Sequence, residues 1–329
     1  MRFPIAALSF LMLAASVAAQ PASERIGIID FYGYGPLDPA RLRAALPFKE
    51  GDAVPSKEAK QAAQEALVKL TARAAARIEE VCCLEGGRVT VFVGLSEPDA
   101  PPVRYNPEPS EDIKLPKQAH RLFVQLEKDT LAAVKKGDAG EDDSEGYALM
   151  KNPDARGDQL KIRDWVRANV ATTHRVLETS RYSDERADAA EALGYAEQSP
   201  EQIGALVRAS FDADEGVRDN AIRALEVLCN LGPEVTRRIP AARFVPMLHS
   251  LAWTDRNKAS ALFLMLSASR SPVVLDVLRA GAMQPLREMA QWRDWGHGGA
   301  AAVVLARLAG IPDNQVTPAK VPEILKAVQ

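Results

Sequence analysis

Read for the alternation of apolar and polar positions, the chain divides into a short mixed stretch and a long helical one. Arg25 to Phe31 is rich in isoleucine and stops at glycine, the pattern of a strand. Asp38 and Pro39 then stand as N-cap and first residue of a helix with Leu42, Ala45 and Leu46 on one side, broken by Gly51-Asp52. A second helix starts at Ser56 and carries Ala59, Ala63, Ala66, Leu67, Leu70 and Ala74 at helical spacing. Two strands, Glu79 to Leu84 and Arg88 to Gly94, flank the turn Glu85-Gly86-Gly87, and Val89, Val91 and Val93 give the second strand an aliphatic face. The predicted order is β-α-α-β-β.

From 98 to 116 proline recurs every few residues, which excludes helix interior and predicts an extended linker between two halves that fold separately. Lys117 to Lys136 reads as a helix with Leu122, Phe123, Leu126 and Leu131 as its apolar set. Gly137 to Gly146 is acidic and glycine-bearing; it lacks the residue order of an EF-hand and predicts a solvated loop. Beyond residue 158 the sequence repeats itself. Arg186 to Leu193 recurs as Arg218 to Leu225, 32 residues on, each copy preceded by Asp-Glu, with looser copies at Lys258 to Leu262 and Ala300 to Leu305. Between copies lie second helices such as the one opened by Ser199-Pro200. Helix pairs at this period predict an α-solenoid, with Leu225 buried between helices.

Two resemblances rest on these residues. Ile26, Ile29, Phe31 and Gly33, then a helix, Lys49-Glu50-Gly51-Asp52, a second helix and a hairpin resemble a POTRA domain over residues 25–97. Such polypeptide-transport-associated modules are found beside outer-membrane barrel-assembly and secretion proteins. The chain departs from that pattern at Ala76-Arg77-Ile78-Glu79, where those domains usually carry a Gly-Tyr-Phe-like element. Asp214 to Leu225 is similar to the first helix of a HEAT repeat, Asp-x-x-Val-Arg-x-x-Ala-x-x-Ala-Leu, and the likeness extends over 159–329. Together they imply a mostly α fold, a HEAT-like (armadillo-like) α-α superhelix with a small N-terminal β-α-α-β-β POTRA-like domain. The expected division is 1–19 signal peptide, 24–97 POTRA-like domain, 98–116 proline-rich linker, 117–158 helix plus acidic loop, and 159–329 helical repeats. HEAT-like repeats also occur in bilin lyases, so an enzyme using the concave face of the solenoid is the alternative to a binding scaffold.

Composition adds bounds. The 329 residues carry a net charge of −3, so no overall basic field draws the chain to nucleic acid. Arg2, the apolar run Ile5 to Ala15 and the small residues Ser16-Val17-Ala18-Ala19 form the pattern of a secretory signal peptide with no cysteine after it. A periplasmic or secreted protein that is not a lipoprotein is expected, and no later segment has the length and apolarity of a membrane helix. Cys82, Cys83 and Cys229 are expected as buried thiols, with a link from either of the first two to Cys229 left open.

Candidate chemistry is sparse. Gly33-Tyr34-Gly35 follows a strand as a phosphate-cradling loop would, but the third glycine of G-x-G-x-x-G is missing and Pro36 removes an amide donor. The glycines therefore read as turn chemistry. The four histidines are scattered, and no nucleophile, metal-ligand or cofactor motif is present; no catalytic residue, cofactor or metal is expected. One cluster stands apart. Trp292, Arg293, Trp295 and His297 fall within nine residues, and Trp and Arg are the residue types that anchor interfaces. They are the candidate partner-binding residues. The expectation is a non-catalytic extracytoplasmic scaffold that binds one or more proteins, such as an envelope or outer-membrane complex. A partner strand would add beside Arg25 to Phe31 or beside the hairpin.

Overall fold

The computed structural model describes residues 25–82, 84–138 and 140–328; the signal peptide expected at 1–19 lies outside them. Three strands, β1 (Ile26–Tyr32), β2 (Ala76–Cys82) and β3 (Val89–Leu95), form a sheet in the order β1-β3-β2, with β1 parallel and β2 antiparallel to β3. Between β1 and β2 run α1 (Pro39–Ala44) and α2 (Lys57–Thr71). Asp38 and Ser56 cap their first turns through side-chain oxygens, and Pro39 occupies the first helical position, as their types dictate. Ile29, Phe31, Val89, Val91 and Val93 point to one side of the sheet and join Leu42, Ala63 and Leu67 in a small core. β2 begins at Ala76, three residues before the expected start, because Arg77 and Glu79 face the helical half and hid the alternation.

The other side of the sheet is covered too. Tyr32 and Phe92 belong to the large core, which otherwise comes from residues 115 to 324. Its helices are α3 (Lys117–Lys135), α4 (Pro153–Ala168), α5 (Val170–Thr179), α6 (Ser183–Gly194), α7 (Pro200–Ala209) and α8 (Glu215–Leu228). Two short turns, α9 (Pro233–Thr236) and α10 (Ala241–Phe244), lead to α11 (Trp253–Leu266), α12 (Pro272–Gly281), α13 (Met283–Ala290), α14 (Trp295–Leu308) and α15 (Val321–Ala327). α6 packs on α8, α8 on α11 and α11 on α14, while α5, α7 and α13 lie against α6, α8 and α14. Leu225 is fully buried in this stack, as its spacing predicts.

Three of the stacked helices share a device at their fourth residue. Arg186, Arg218 and Arg256 are each at most 2% exposed, and each guanidinium donates to the carbonyl six residues earlier, of Ser180, Asp212 and Ser250. Arg186 also grips Asp212 through two bonds of 2.9 and 2.7 Å, and Arg218 grips Asp255. A guanidinium buried in this way has to be paired, since leaving it alone costs several kcal/mol. For Arg256 the pairing carboxylate is that of Glu97, just beyond β3, which accepts from the guanidinium.

The proline-rich segment is extended, as expected, but it is a strap along the helical half. Asn106 N donates to Phe211 O, Glu111 N to Thr179 O, Arg181 N to Glu111 O and Leu115 N to Glu185. The acidic segment is likewise docked. It forms a hairpin of β4 (Glu141–Asp142) and β5 (Leu149–Met150), Tyr147, Leu149 and Met150 are buried, and Glu141 and Asp143 bond Arg223 and Asn230. Cys229 is a buried free thiol, which rules out a link to Cys82 or Cys83; Cys82 is in a disulfide.

Candidate functional site

A three-stranded sheet has two edges, and an edge strand turns every second residue's amide and carbonyl outward. Along β1 those outward groups begin with Ile26, which exchanges bonds with Gly51 and Asp52. After the register shift between Ile26 and Ile28, the outward positions are Ile29, Phe31 and Gly33. Ile29 N donates to Glu50 at 3.1 Å, and Ile29 O accepts from Arg43 at 2.7 Å and Arg293 at 3.3 Å. Phe31 O accepts from the Trp292 indole at 2.9 Å. Gly33 N and Gly35 N both donate to the Glu288 carboxylate, at 2.5 and 2.7 Å. Side chains thus occupy the β1 edge.

The Gly33-Tyr34-Gly35 loop therefore does cradle an anion, and the anion is the chain's own. Gly33 has φ +69°, and a Cβ there would lie 2.0 Å from the Leu95 carbonyl oxygen, so only glycine fits. Successive amides in such a turn form a concave anion seat. Glu288 fills it while 3% exposed. Burial pushes its carboxyl up, opposed by Arg256 and by the two glycine amides.

The four candidate partner-binding residues lie at this same seam. Trp292 is 4% exposed, and its ring packs 4.8 Å from Phe92 and edge-on to Tyr32. Arg293 is half exposed; it bonds Glu50 and lies 3.8 Å from Asp30. Trp295 is partly buried, with its ring against Gly299. His297 stands edge-on to Phe92 and Trp253, with Nδ1 3.2 Å from Asn257, and burial pulls its pKa down. Trp292, Arg293 and His297 thus meet the N-terminal sheet of their own chain. Neighbours missed in the sequence complete the seam. Asp294 N donates to Asp30, Thr90 donates to Asp294 at 2.6 Å, Tyr32 donates to Leu251 O, and Trp253 N donates to Glu79. Burial raises the carboxyls of Asp30 and Glu79.

The β2 edge is different. Ser96 N donates to Ala75 O, which makes Arg77, Glu79 and Val81 the positions bonded to β3 and turns the main chain of Ala76, Ile78 and Glu80 outward. Among the described residues no hydrogen bond reaches those outward groups. Arg77 pairs with Glu215 and Lys60 with Glu80, so side chains on either side of the edge are fixed.

Enclosed chemistry is slight by comparison. Glu191 and Tyr195 line a cavity of about 20 Å³ beside Arg223, room for about one water and no substrate. Burial pushes Glu191 up to about 7 there. A groove of about 720 Å³ runs past Arg43, Glu50 and Arg293, where Glu50 pairs with both arginines. No group of three or more metal-ligating side chains occurs among the described residues, and no helix among them is long and apolar enough to cross a membrane. Comparison with models of known protein families and with curated proteins finds no match.

Proposed function

We propose that the protein is a non-catalytic extracytoplasmic interaction scaffold, in which a HEAT-like helical stack holds a POTRA-like sheet and offers its β2 edge to an extended segment of a partner protein. The asymmetry of the two edges carries this reading: side chains from both halves occupy the β1 edge, and the outward groups of Ala76, Ile78 and Glu80 have no hydrogen-bond partner among the described residues. A free edge is a template for one more strand, with affinity from main-chain bonds. The helical stack supports the HEAT-like reading through its buried arginines at a fixed helical position, and the signal-peptide pattern supports an envelope location and an envelope complex as partner. Trp292, Arg293 and His297 then serve to seat the sheet, and the partner site lies on β2.

Glu80→Pro tests this reading. Its amide points outward, so proline removes a donor from an incoming strand and none from the β2–β3 ladder. Capture of the partner from envelope extract, and a photo-crosslink from a probe placed at residue 76, should be lost in the proline variant with the melting temperature nearly unchanged. Capture that survives the proline would remove the β2 edge from the account.

A further inference from the structure

His249 ends the turn that follows α10, and both of its ring nitrogens face acceptors. Nδ1 lies 2.8 Å from Glu97 Oε2, and Nε2 lies 2.8 Å from the Gly281 carbonyl oxygen at the end of α12. A neutral imidazole carries one N–H, so it can satisfy only one of these; the other lone pair would meet an oxygen lone pair head on. Glu97 cannot relieve the conflict by carrying the proton. It also accepts from Arg256, and although burial pushes its carboxyl up, the bonds from His249 and Arg256 outweigh that and hold it below the usual range. The side chains of His249 and Glu97 are 11% and 8% exposed, so water does not supply a substitute donor freely.

We propose that His249 is a pH-sensitive clasp that holds the N-terminal sheet to the helical half as an imidazolium and loosens the seam when it loses its proton. The charged surroundings agree on the sign. Burial works against the cation and so does Arg256 of α11, yet the bonds to Glu97 and Gly281 O prevail and raise the pKa. Glu288 of α13 stands 4.0 Å behind Arg256, and Arg243 of α10 is stacked on Phe211 at 4.2 Å. Arg73 and Asp99 line the groove on one side of His249, and Arg77, Glu215 and Arg218 that on the other. A raised histidine contributes stability that is complete below its free value of about 6.5 and is lost as pH rises through the folded value. A depressed carboxyl contributes stability that is lost as pH falls through its own. The clasp is therefore closed between the two and opens on the alkaline side. His297, whose pKa burial pulls down, acts in the opposite sense and is the control.

The experiment follows the imidazole of His249 by NMR in the full chain from pH 6 to 9, together with exchange protection of the Gly33 and Gly35 amides, corrected for the intrinsic rate. Expected is titration above the ordinary histidine value, with protection falling by about tenfold per pH unit between that value and the folded one. The fall should persist in His297→Gln and vanish in His249→Gln. An imidazole that titrates at or below the ordinary value, or His249→Gln with the same pH dependence as the wild type, would overturn the proposal. If His249→Gln does not fold, the wild-type titration decides alone.

Discussion

At the scale of single residues, the buried arginines show how charge is made structural. Arg218 and Asp255 are 2% and 1% exposed, and Asp255 also accepts from Tyr105 and Ser250. Arg218→Met leaves that carboxylate without its cation and should cost about 3–5 kcal/mol in chemical denaturation. Arg208→Met, which breaks an exposed pair with Glu178, should cost less than about 1 kcal/mol. Equal losses would mean that burial is not what sets the value of the pair. Leu225→Ala should cost about 2–5 kcal/mol through lost transfer energy and the cavity left behind, and a change below about half of one would mean that Leu225 is not packed as described. Leu225 was legible from spacing alone, because helical periodicity is local. The role of Gly33 and Gly35 was not: their acceptor, Glu288, lies more than 250 residues away, and nothing in a glycine pair says whose anion it holds.

At the scale of elements, caps and strand order were written in short patterns. Asp38-Pro39, Ser56 and Ser199-Pro200 open helices where expected, and the three strands follow in the predicted order. The strap and the acidic hairpin were harder to read, since proline and acidic runs report that a segment is not helix and say nothing about what it lies against. Extended chain can dock through its main chain whatever its side chains are. Amides of Asn106, Glu111 and Leu115 should accordingly exchange slowly, and brief proteolysis should spare 103–115. Rapid cleavage inside that stretch would restore the picture of a free linker between independent halves. Trp292 was visible as a residue that seeks a partner, but a single sequence does not distinguish a partner in another chain from a sheet in its own.

At the scale of the whole molecule, the sheet lies between two cores, the small one with α1 and α2 and the large one shared with the helical half. Their seam combines Phe92, stacked on Trp253 and tilted against Trp292, with hydrogen bonds that Glu288 and Asp294 accept from Gly33 and Thr90 and that Trp292 donates to Phe31. An interface of that kind aligns the sheet and consumes one of its edges, and the other edge is the one proposed here to meet a partner. Hydrogen exchange resolved by residue in the full chain tests this division most directly. The amides of Ile29, Gly33 and Gly35 should be protected, because carboxylates of Glu50 and Glu288 accept them, and those of Ile78 and Glu80 should exchange fast beside slow neighbours at Arg77 and Glu79. Protection at Ile78 and Glu80 equal to that of their neighbours, or fast exchange at Gly33 and Gly35, would contradict the account.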